Sequence, residues 1–273
     1  MNLGYAILLG ITQGLTEFLP ISSSGHLVLM ESLLPAFSRR GILFEILLHT
    51  GTLIAVVLYF RRDITRILYS FWRKSSGQRG ESAQFRRLGW LILLAMVPTA
   101  IVALILHSYV EKSFSSPLIA GLFLLITAVI LFATKFFKGK GRSIGTIGIK
   151  DSLIIGLMQG LAIFPGLSRS GATISAGIFA GVDKEASARF SFLLSIPAIA
   201  GALLFDLKEL TYLARADILL LGYYAVGAAV AGLVGYLSIG LLLRIVKRFR
   251  LYLFSYYCLA VGMTTIILHL LKS

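Results

Sequence analysis

Residues 13–26 read QGLTEFLPISSSGH and interrupt an apolar segment near the N-terminus. The apolar run predicts a helix, and Pro20 ends it because proline has no N–H and restricts the residue before it. The serines and the glycine that follow are good N-cap residues and predict a second helix over residues 27–34. The stretch therefore predicts a broken helix. The carboxylate of Glu17 lies before the break, and hydroxyls, free backbone N–H groups and His26 lie after it.

A second interruption has the same form. Residues 159–173 read QGLAIFPGLSRSGAT and break the apolar region 151–182. This break carries Ser168, Arg169 and Ser170. A helix N-terminus attracts anions, and a guanidinium presents a fork of donors that suits phosphate oxygens. A phosphate is therefore the expected ligand of this second break.

The first break offers a cation site as well. Gln13 and Glu17 are four residues apart and lie on one face of the predicted helix. A carboxylate beside a helix N-terminus can hold a divalent cation, and Mg²⁺ or Ca²⁺ is the expected ion. Among the hydroxyls of the break, the residue pattern alone does not select one as a nucleophile.

The composition predicts an integral membrane protein. The chain has 273 residues, is 57% hydrophobic and has a mean hydropathy of +0.88. Apolar segments near or above 18 residues are typical of membrane-spanning helices. Six segments meet this description: Ile42–Phe60, Trp90–His107, Leu118–Phe137, Phe190–Phe205, Ile218–Leu243 and Leu251–Leu271.

The net charge of +14 is concentrated in loops between these segments. Arg61–Arg87 holds eight Lys and Arg residues, and Lys138–Lys150 and Arg244–Arg250 hold four each. Basic loops stay in the cytoplasm, so this charge predicts orientation and not nucleic-acid binding. With these loops inside, the broken regions 3–35 and 151–182 must each enter and leave on one side, as re-entrant hairpins.

The chain also carries a repeat at a constant offset of 146 residues. We therefore predict an all-α integral membrane fold, with about six full transmembrane helices plus two re-entrant helix–loop–helix hairpins in an inverted-topology repeat. Residues 1–273 form a single membrane domain, with halves of about 1–110 and 147–273 joined by a span and a basic loop at 117–150. The matching pairs include Gly10 and Gly156, Gln13 and Gln159, Gly14 and Gly160, Leu15 and Leu161, Phe18 and Phe164, and Gly25 and Gly171.

Broken helices at the midplane of such folds form the binding site. Segments 13–26 and 159–173 should therefore line one cavity. Glu45 and His49 lie four apart in a span and are expected at most to neighbour the site. Thr173 is a hydrogen-bonding neighbour, and the tyrosines at 252, 256 and 257 are interpreted as an aromatic belt at the membrane interface.

At these residues the chain resembles the bacterial undecaprenyl-pyrophosphate phosphatase family, whose members are also called bacitracin-resistance proteins. The resemblance rests on Gln13–His26, on Pro165–Ile174 (PGLSRSGATI) and on Phe190–Pro197 (FSFLLSIP), and it spans essentially the whole chain. Many members have Glu where this chain has Gln13, and an amide offers an oxygen without charge.

The resemblance implies an enzyme that hydrolyses C55 polyprenyl pyrophosphate to the monophosphate and inorganic phosphate, and so recycles the lipid carrier for peptidoglycan. It also implies a divalent cation and a multi-pass protein of the bacterial cell membrane, with its site open to the extracytoplasmic side. Whether the chain forms a homodimer is left open.

The resulting hypothesis assigns a role to each residue. Glu17 and Gln13 hold the cation, Ser23 attacks the terminal phosphorus, and His26 takes or relays its proton. Direct attack by water is an alternative. The alternative function is transport of the polyprenyl phosphate through the same cavity, because inverted repeats and broken helices are common in secondary transporters. The residues expected to bind phosphate are Arg169, Ser168, Ser170, Thr173, Ser22, Ser24, Gly25 and Gly171.

Overall fold

The fold is all-helical over the described residues. The computed structural model describes residues 2–33, 42–72, 79–137, 141–205, 218–248 and 250–272. Parts of the basic loops, 73–78 and 138–140, lie outside these residues, as does position 34 at the predicted end of the second helix.

Eleven α-helices occur in the described part of the chain. They are α1 Leu3–Phe18, α2 Ser23–Leu33, α3 Ile42–Tyr59, α4 Arg61–Trp72, α5 Arg79–Ser113, α6 Pro117–Ala133, α7 Ile149–Leu161, α8 Arg169–Phe179, α9 Lys184–Phe205, α10 Ile218–Lys247 and α11 Leu253–Lys272. Two short 3₁₀ turns, Thr134–Phe136 and Ile144–Thr146, join α6 to α7.

Each of the six predicted membrane segments coincides with a helix over most of its length. Five helices, α5, α6, α9, α10 and α11, are long and apolar enough to cross a membrane. Helices α3 and α4 together make a sixth candidate, bent by 74° at Phe60. The prediction of an all-α, multi-pass membrane fold is therefore confirmed.

Both broken segments are present, but the first one resumes earlier than predicted. Helix α1 ends at Phe18 and α2 begins at Ser23, so two of the serines belong to the first turn of α2 and do not precede it. Ser22 makes the turn instead, with φ of 69°. In the second segment Ser168 is the N-cap of α8 and accepts a hydrogen bond from Gly171 N.

The first helix of each broken segment packs against a helix from the other predicted half. Helix α1 packs along α10, and α7 packs along α5. The approach is close: a Cβ at Gly10 would lie 2.6 Å from Gly227 O, and a Cβ at Gly156 would lie 2.1 Å from Ala95 O. The two halves are thus interwoven. Their exact division, and their opposite orientation, stay predictions.

A core of aromatic rings holds the end of α1 in place. Phe18 is fully buried, and its ring packs edge-on against Phe192 of α9 at 5.8 Å between centroids. Phe192 in turn packs against Phe60 at the α3–α4 bend. Because Phe18 is fixed, the neighbouring Glu17 has a fixed backbone position at the break.

Candidate active site

The two breaks meet in the interior of the molecule. The hydroxyl of Ser22 accepts a hydrogen bond from Gly166 N at 3.1 Å, and Ser170 Oγ donates to Leu19 O at 3.3 Å. A Cβ at Gly25 would lie 2.8 Å from Gly166 Cα, so the two backbones touch. The broken segments therefore lie together, whereas the prediction that both line one cavity stays a prediction.

Glu17 lies where the two segments join. Its side chain is 6% exposed, and its two carboxylate oxygens have different partners. Oε1 forms an ion pair with Arg169 from the second segment. Oε2 accepts hydrogen bonds from Gln13 Nε2 at 3.0 Å and from Ser23 Oγ at 2.6 Å. A buried carboxylate is stable only when it is paired and hydrogen-bonded, and here both conditions are met.

The Ser23 hydroxyl therefore donates a hydrogen bond to Glu17 in this structure. The sequence-based hypothesis paired Ser23 with His26, but His26 is not a hydrogen-bond partner of Ser23 among the described residues. The reason is the early start of α2. His26 lies almost one turn into that helix, and its Nδ1 bonds to Ser22 O, four residues back, at 2.7 Å. Its role as a proton carrier stays a prediction.

The other nitrogen of His26 faces α11. His26 Nε2 lies 2.8 Å from the hydroxyl of Tyr257, and the two rings stack with an interplanar angle of 8°. A carbonyl only accepts, so Nδ1 carries the proton given to Ser22 O, and in the neutral ring Nε2 accepts from Tyr257. Sequence reasoning placed Tyr257 in an aromatic belt and missed this contact, which only the fold reveals.

The same hydroxyl pattern closes both breaks. Ser22 Oγ accepts from Gly25 N at 3.3 Å and lies 3.4 Å from Ser24 Oγ. At positions 146 residues later, Ser168 Oγ accepts from Gly171 N at 3.1 Å and lies 3.2 Å from Ser170 Oγ. We call these two sets the hydroxyl caps. Their backbone N–H groups, expected to bind phosphate, are already hydrogen-bonded to serine.

Thr173 and Arg169, two more of the predicted phosphate-binding residues, differ in whether they have a spare hydrogen-bonding group. Thr173 Oγ1 donates to Arg169 O at 2.8 Å and lies 2.5 Å from Ser191 Oγ, a neighbour that sequence reasoning missed. Arg169 differs, because its Nη1 is buried without a hydrogen-bond partner among the described residues. Arg169 thus has the spare donor best suited to an incoming anion.

His49 of α3 also reaches the site. Its Nδ1 lies 3.1 Å from Gln13 Nε2 and 3.9 Å from Glu17 Oε2. The sequence indicated only a neighbouring role for it. Gln13 is fully buried, and its Oε1 has no hydrogen-bond partner among the described residues. Its repeat partner Gln159 bonds to Thr99 instead, outside the site.

A groove of about 1090 Å³ opens beside His26, between α1, α2, the end of α10 and the start of α11. Most of its wall is apolar, and His26 and Tyr257 form a polar part of it. Four cationic side chains also line this groove. They are Arg244, Lys247, Arg248 and Arg250.

These features define an integral membrane protein whose polar site, built from two broken helices, suits chemistry on a phosphate carried by an apolar molecule. Comparison with known proteins agrees. Residues 6–264 match the sequence model of the family described as Bacitracin resistance protein BacA, and the chain belongs to this family.

Its relatives cover nearly the whole chain. A protein of Syntrophotalea carbinolica named undecaprenyl-diphosphatase is 45% identical over 262 residues, 96% of this chain and 97% of its own length. Proteins with the same name from Korarchaeum cryptofilum and Methanosphaera stadtmanae are 44% and 40% identical, each over 96% of this chain and 97% and 96% of their own length.

Proposed function

We propose that this protein is an undecaprenyl-diphosphatase. It hydrolyses a C55 polyprenyl pyrophosphate to the monophosphate and inorganic phosphate, which returns the lipid carrier to peptidoglycan synthesis and gives resistance to bacitracin. The observation that carries the proposal is Glu17, held between the hydroxyl of Ser23 and the guanidinium of Arg169. Family membership and the names of the relatives support the same activity.

The arrangement suits a serine nucleophile. Ser23 Oγ forms a bond to the terminal phosphorus, and the bond from that phosphorus to the bridging oxygen breaks, so the lipid monophosphate leaves with the electron pair. The Ser23 proton passes to Glu17 Oε2, to which it is already directed at 2.6 Å. Water then attacks the phosphorus of the phosphoserine, the bond from phosphorus to Ser23 Oγ breaks, and Oγ takes back the proton from Glu17, which releases inorganic phosphate and restores both the hydroxyl and the base.

Proton transfer to Glu17 also changes its partner. A neutral carboxyl binds Arg169 less strongly than a carboxylate does, because the Coulomb attraction is lost. The guanidinium, which already has one unpartnered buried nitrogen, then interacts with the charge on the transferring phosphoryl group. Glu17 thus acts as the base, and its change of charge also alters how strongly Arg169 interacts with the phosphoryl group.

A divalent cation, Mg²⁺ or Ca²⁺, fits beside these residues. Glu17 provides a carboxylate oxygen, and Gln13 provides an amide whose Oε1 is buried and unpartnered. Glu17 and Gln13 would hold the ion while Glu17 is ionised, and the ion would then supply positive charge beside the pyrophosphate. Only one of these two donors is charged.

The groove beside His26 is the proposed path of the lipid. Its apolar wall suits a polyprenyl tail, and His26 with Tyr257 would contact the phosphate linked to that tail. We assign the protein to the cell membrane. The basic segment Arg244–Arg250, which favours a cytoplasmic location, lines this groove, so the groove opens to that side, and a site opening to the extracytoplasmic side stays a prediction.

The test is phosphate release from C55 pyrophosphate by the purified protein in detergent, with Mg²⁺, Ca²⁺ or EDTA. Glu17→Ala and Arg169→Ala should each lower turnover by about 100-fold or more, as removal of a transition-state donor does. The matched controls are Glu81→Ala and Arg66→Ala, which remove an exposed ion pair of 3.8 Å. Both controls should keep wild-type turnover.

Two outcomes would contradict parts of the proposal. Well-folded wild type without turnover in any metal would refute the phosphatase. Ser23→Ala that keeps turnover within about tenfold, roughly 1.4 kcal/mol of barrier, would exclude an obligatory serine nucleophile and favour direct attack by water.

One observation favours transport as a second function. The groove is lined by four cations, and Arg244, Arg248 and Arg250 have no ion pair within the described residues, so an anionic headgroup could move along this wall. Reconstituted liposomes would test it. Movement of polyprenyl phosphate between leaflets by the Ser23→Ala variant would support a transporter, and its absence would leave hydrolysis alone.

A further inference from the structure

His49 faces the proposed cation site with its Nδ1, which accepts a hydrogen bond from Gln13 Nε2. Gln13 Nε2 lies between two acceptors and has two hydrogens, one for Glu17 Oε2 and one for His49 Nδ1. Nδ1 is therefore the unprotonated nitrogen of the ring, which is the form that binds a metal ion. The imidazole is 37% exposed, so the position is accessible from outside.

The spacing of the three donor positions fits one metal ion. Glu17 Oε2 and the Gln13 amide are 3.0 Å apart, the amide and His49 Nδ1 are 3.1 Å apart, and Nδ1 and Oε2 are 3.9 Å apart. Neighbouring ligand atoms around a divalent ion with bonds near 2.1 Å are separated by about 3 Å in octahedral geometry. The first two separations match this value and the third is wider, so an ion about 2 Å from all three atoms would lie close to their plane, between Nδ1 and Oε2.

The orientation of the Gln13 amide determines whether hydrogen bonds or a bound ion connect it to Glu17 and His49. With Nε2 inward it donates to both neighbours, and Oε1 stays buried without a partner. A rotation of 180° exchanges the amide oxygen and nitrogen. Carboxylate oxygen, amide oxygen and imidazole nitrogen then face one point, and a cation bound there stabilises all three acceptors together.

We propose that His49 binds the divalent cation through Nδ1, in the place of a second carboxylate. No three Asp, Glu, His or Cys residues come together as a metal site in the described part of the chain, so the amide oxygen of Gln13 completes the set. An imidazole ligand favours ions that accept nitrogen, such as Mn²⁺ or Zn²⁺, over Ca²⁺. This inference deepens the proposed function, because it concerns the same cation.

The experiment measures Mn²⁺ bound to the full-length protein without substrate. Electron spin-echo envelope modulation of the bound ion should show coupling to nitrogen, and labelling histidine with ¹⁵N should change its frequency. His49→Gln should remove the coupling and weaken Mn²⁺ binding by about tenfold or more. His107→Gln removes an exposed imidazole of α5 and should change neither quantity.

Three results would overturn the inference: no Mn²⁺ binding, binding without histidine coupling, or coupling that survives His49→Gln and disappears in His26→Gln. Where His49→Gln fails to fold, coupling that persists in His26→Gln excludes His26, the other imidazole beside the site, and coupling lost in His26→Gln overturns the inference. Phosphate release by wild type in Mg²⁺ is measured separately. Turnover without histidine coupling therefore refutes the ligand and leaves the phosphatase standing.

Discussion

Ser23 and Arg169 occupy equivalent positions in the two broken segments and meet on the same carboxylate. They are 146 residues apart, and each is the first residue of its helix. Ser23 reaches Glu17 Oε2, and Arg169 reaches Glu17 Oε1. One carboxylate therefore orients a nucleophile from one half and a cation from the other, which a single break could not supply.

Tyr257→Phe tests the contact that the sequence did not reveal. The change removes the hydroxyl that donates to His26 Nε2 and keeps the stacked ring. Loss of a hydrogen bond costs about 0.5–1.5 kcal/mol, so we expect kcat/KM for the C55 pyrophosphate to fall by about two- to tenfold.

Tyr256→Phe is the matched control, because its side chain is exposed and packs beside Phe132, away from His26. It should keep the wild-type value. Equal kinetics for both variants would show that Tyr257 has no part in positioning His26 or the substrate.

At this scale the charged residues could be predicted and their neutral neighbours could not. Glu17 and Arg169 stand out because an ionisable group in a membrane segment is costly unless it has a function. The partner of His26 depends on where α2 begins, which three consecutive serines do not reveal. His49 and Tyr257 come from distant helices, so only the packed structure brings them to the site.

Among the elements, the second break depends on a glycine that no other residue can replace without strain. Gly166 has φ of +96°, and a Cβ there would lie 2.1 Å from Ala120 O. Its N–H also binds Ser22, and its carbonyl accepts from Thr127 Oγ1 at 2.9 Å. The residue fixes the position of one break against the other and against α6.

Gly166→Ala should therefore destabilise the protein by more than about 1–3 kcal/mol, since strained backbone and a steric clash add. Thermal unfolding in detergent measures this loss of stability. The rate of phosphate release by Gly166→Ala should fall as well.

Gly80→Ala is the control for this substitution. Gly80 lies in α5 with no other atom within 4 Å of its Cβ position, and alanine suits a helix better than glycine does. For Gly80→Ala we expect a thermal unfolding midpoint equal to or higher than that of the wild type. The same result for Gly166→Ala would show that the break tolerates a side chain.

The lengths of the elements could be predicted better than their ends. Apolar runs of about 18 residues or more identify the spans because the hydrocarbon core sets that length. Pro20 marks the end of α1 correctly to within two residues. The start of α2 was missed because serine stabilises both the cap and the first turn. The bend at Phe60 carries no proline or glycine that would reveal it.

For the whole molecule, the exchange of partners between halves means that the first helix of each broken segment packs mainly against a helix of the other half. A Cβ at Gly14 would lie 2.7 Å from Ala231 O of α10, as Gly10 also packs on that helix. Helix α7 makes the matching contact with α5. The repeat in the sequence indicates two similar units, but the pairing across them is a property of the packed chain alone.

Separate expression of residues 1–139 and 140–273 tests this dependence. Each fragment alone should be degraded or aggregate, because α1 and α7 lose their main partners. Co-expression should restore a complex that releases phosphate from C55 pyrophosphate. A single fragment that elutes as one sharp species and resists proteolysis would contradict the interwoven packing.

The hydroxyl caps have a consequence for how such a site can change over time. They repeat atom for atom in both halves, whereas the side chains between and around them do not: Ser23 matches Arg169, and Glu17 matches Ile163. The hydroxyl caps thus close both breaks in the same way, and the side chains between and around them differ between the halves. A duplicated ancestor with equal halves would have placed identical groups face to face. In this chain, differences such as Ser23 for Arg169 and Glu17 for Ile163 give the two sides of the site different chemistry.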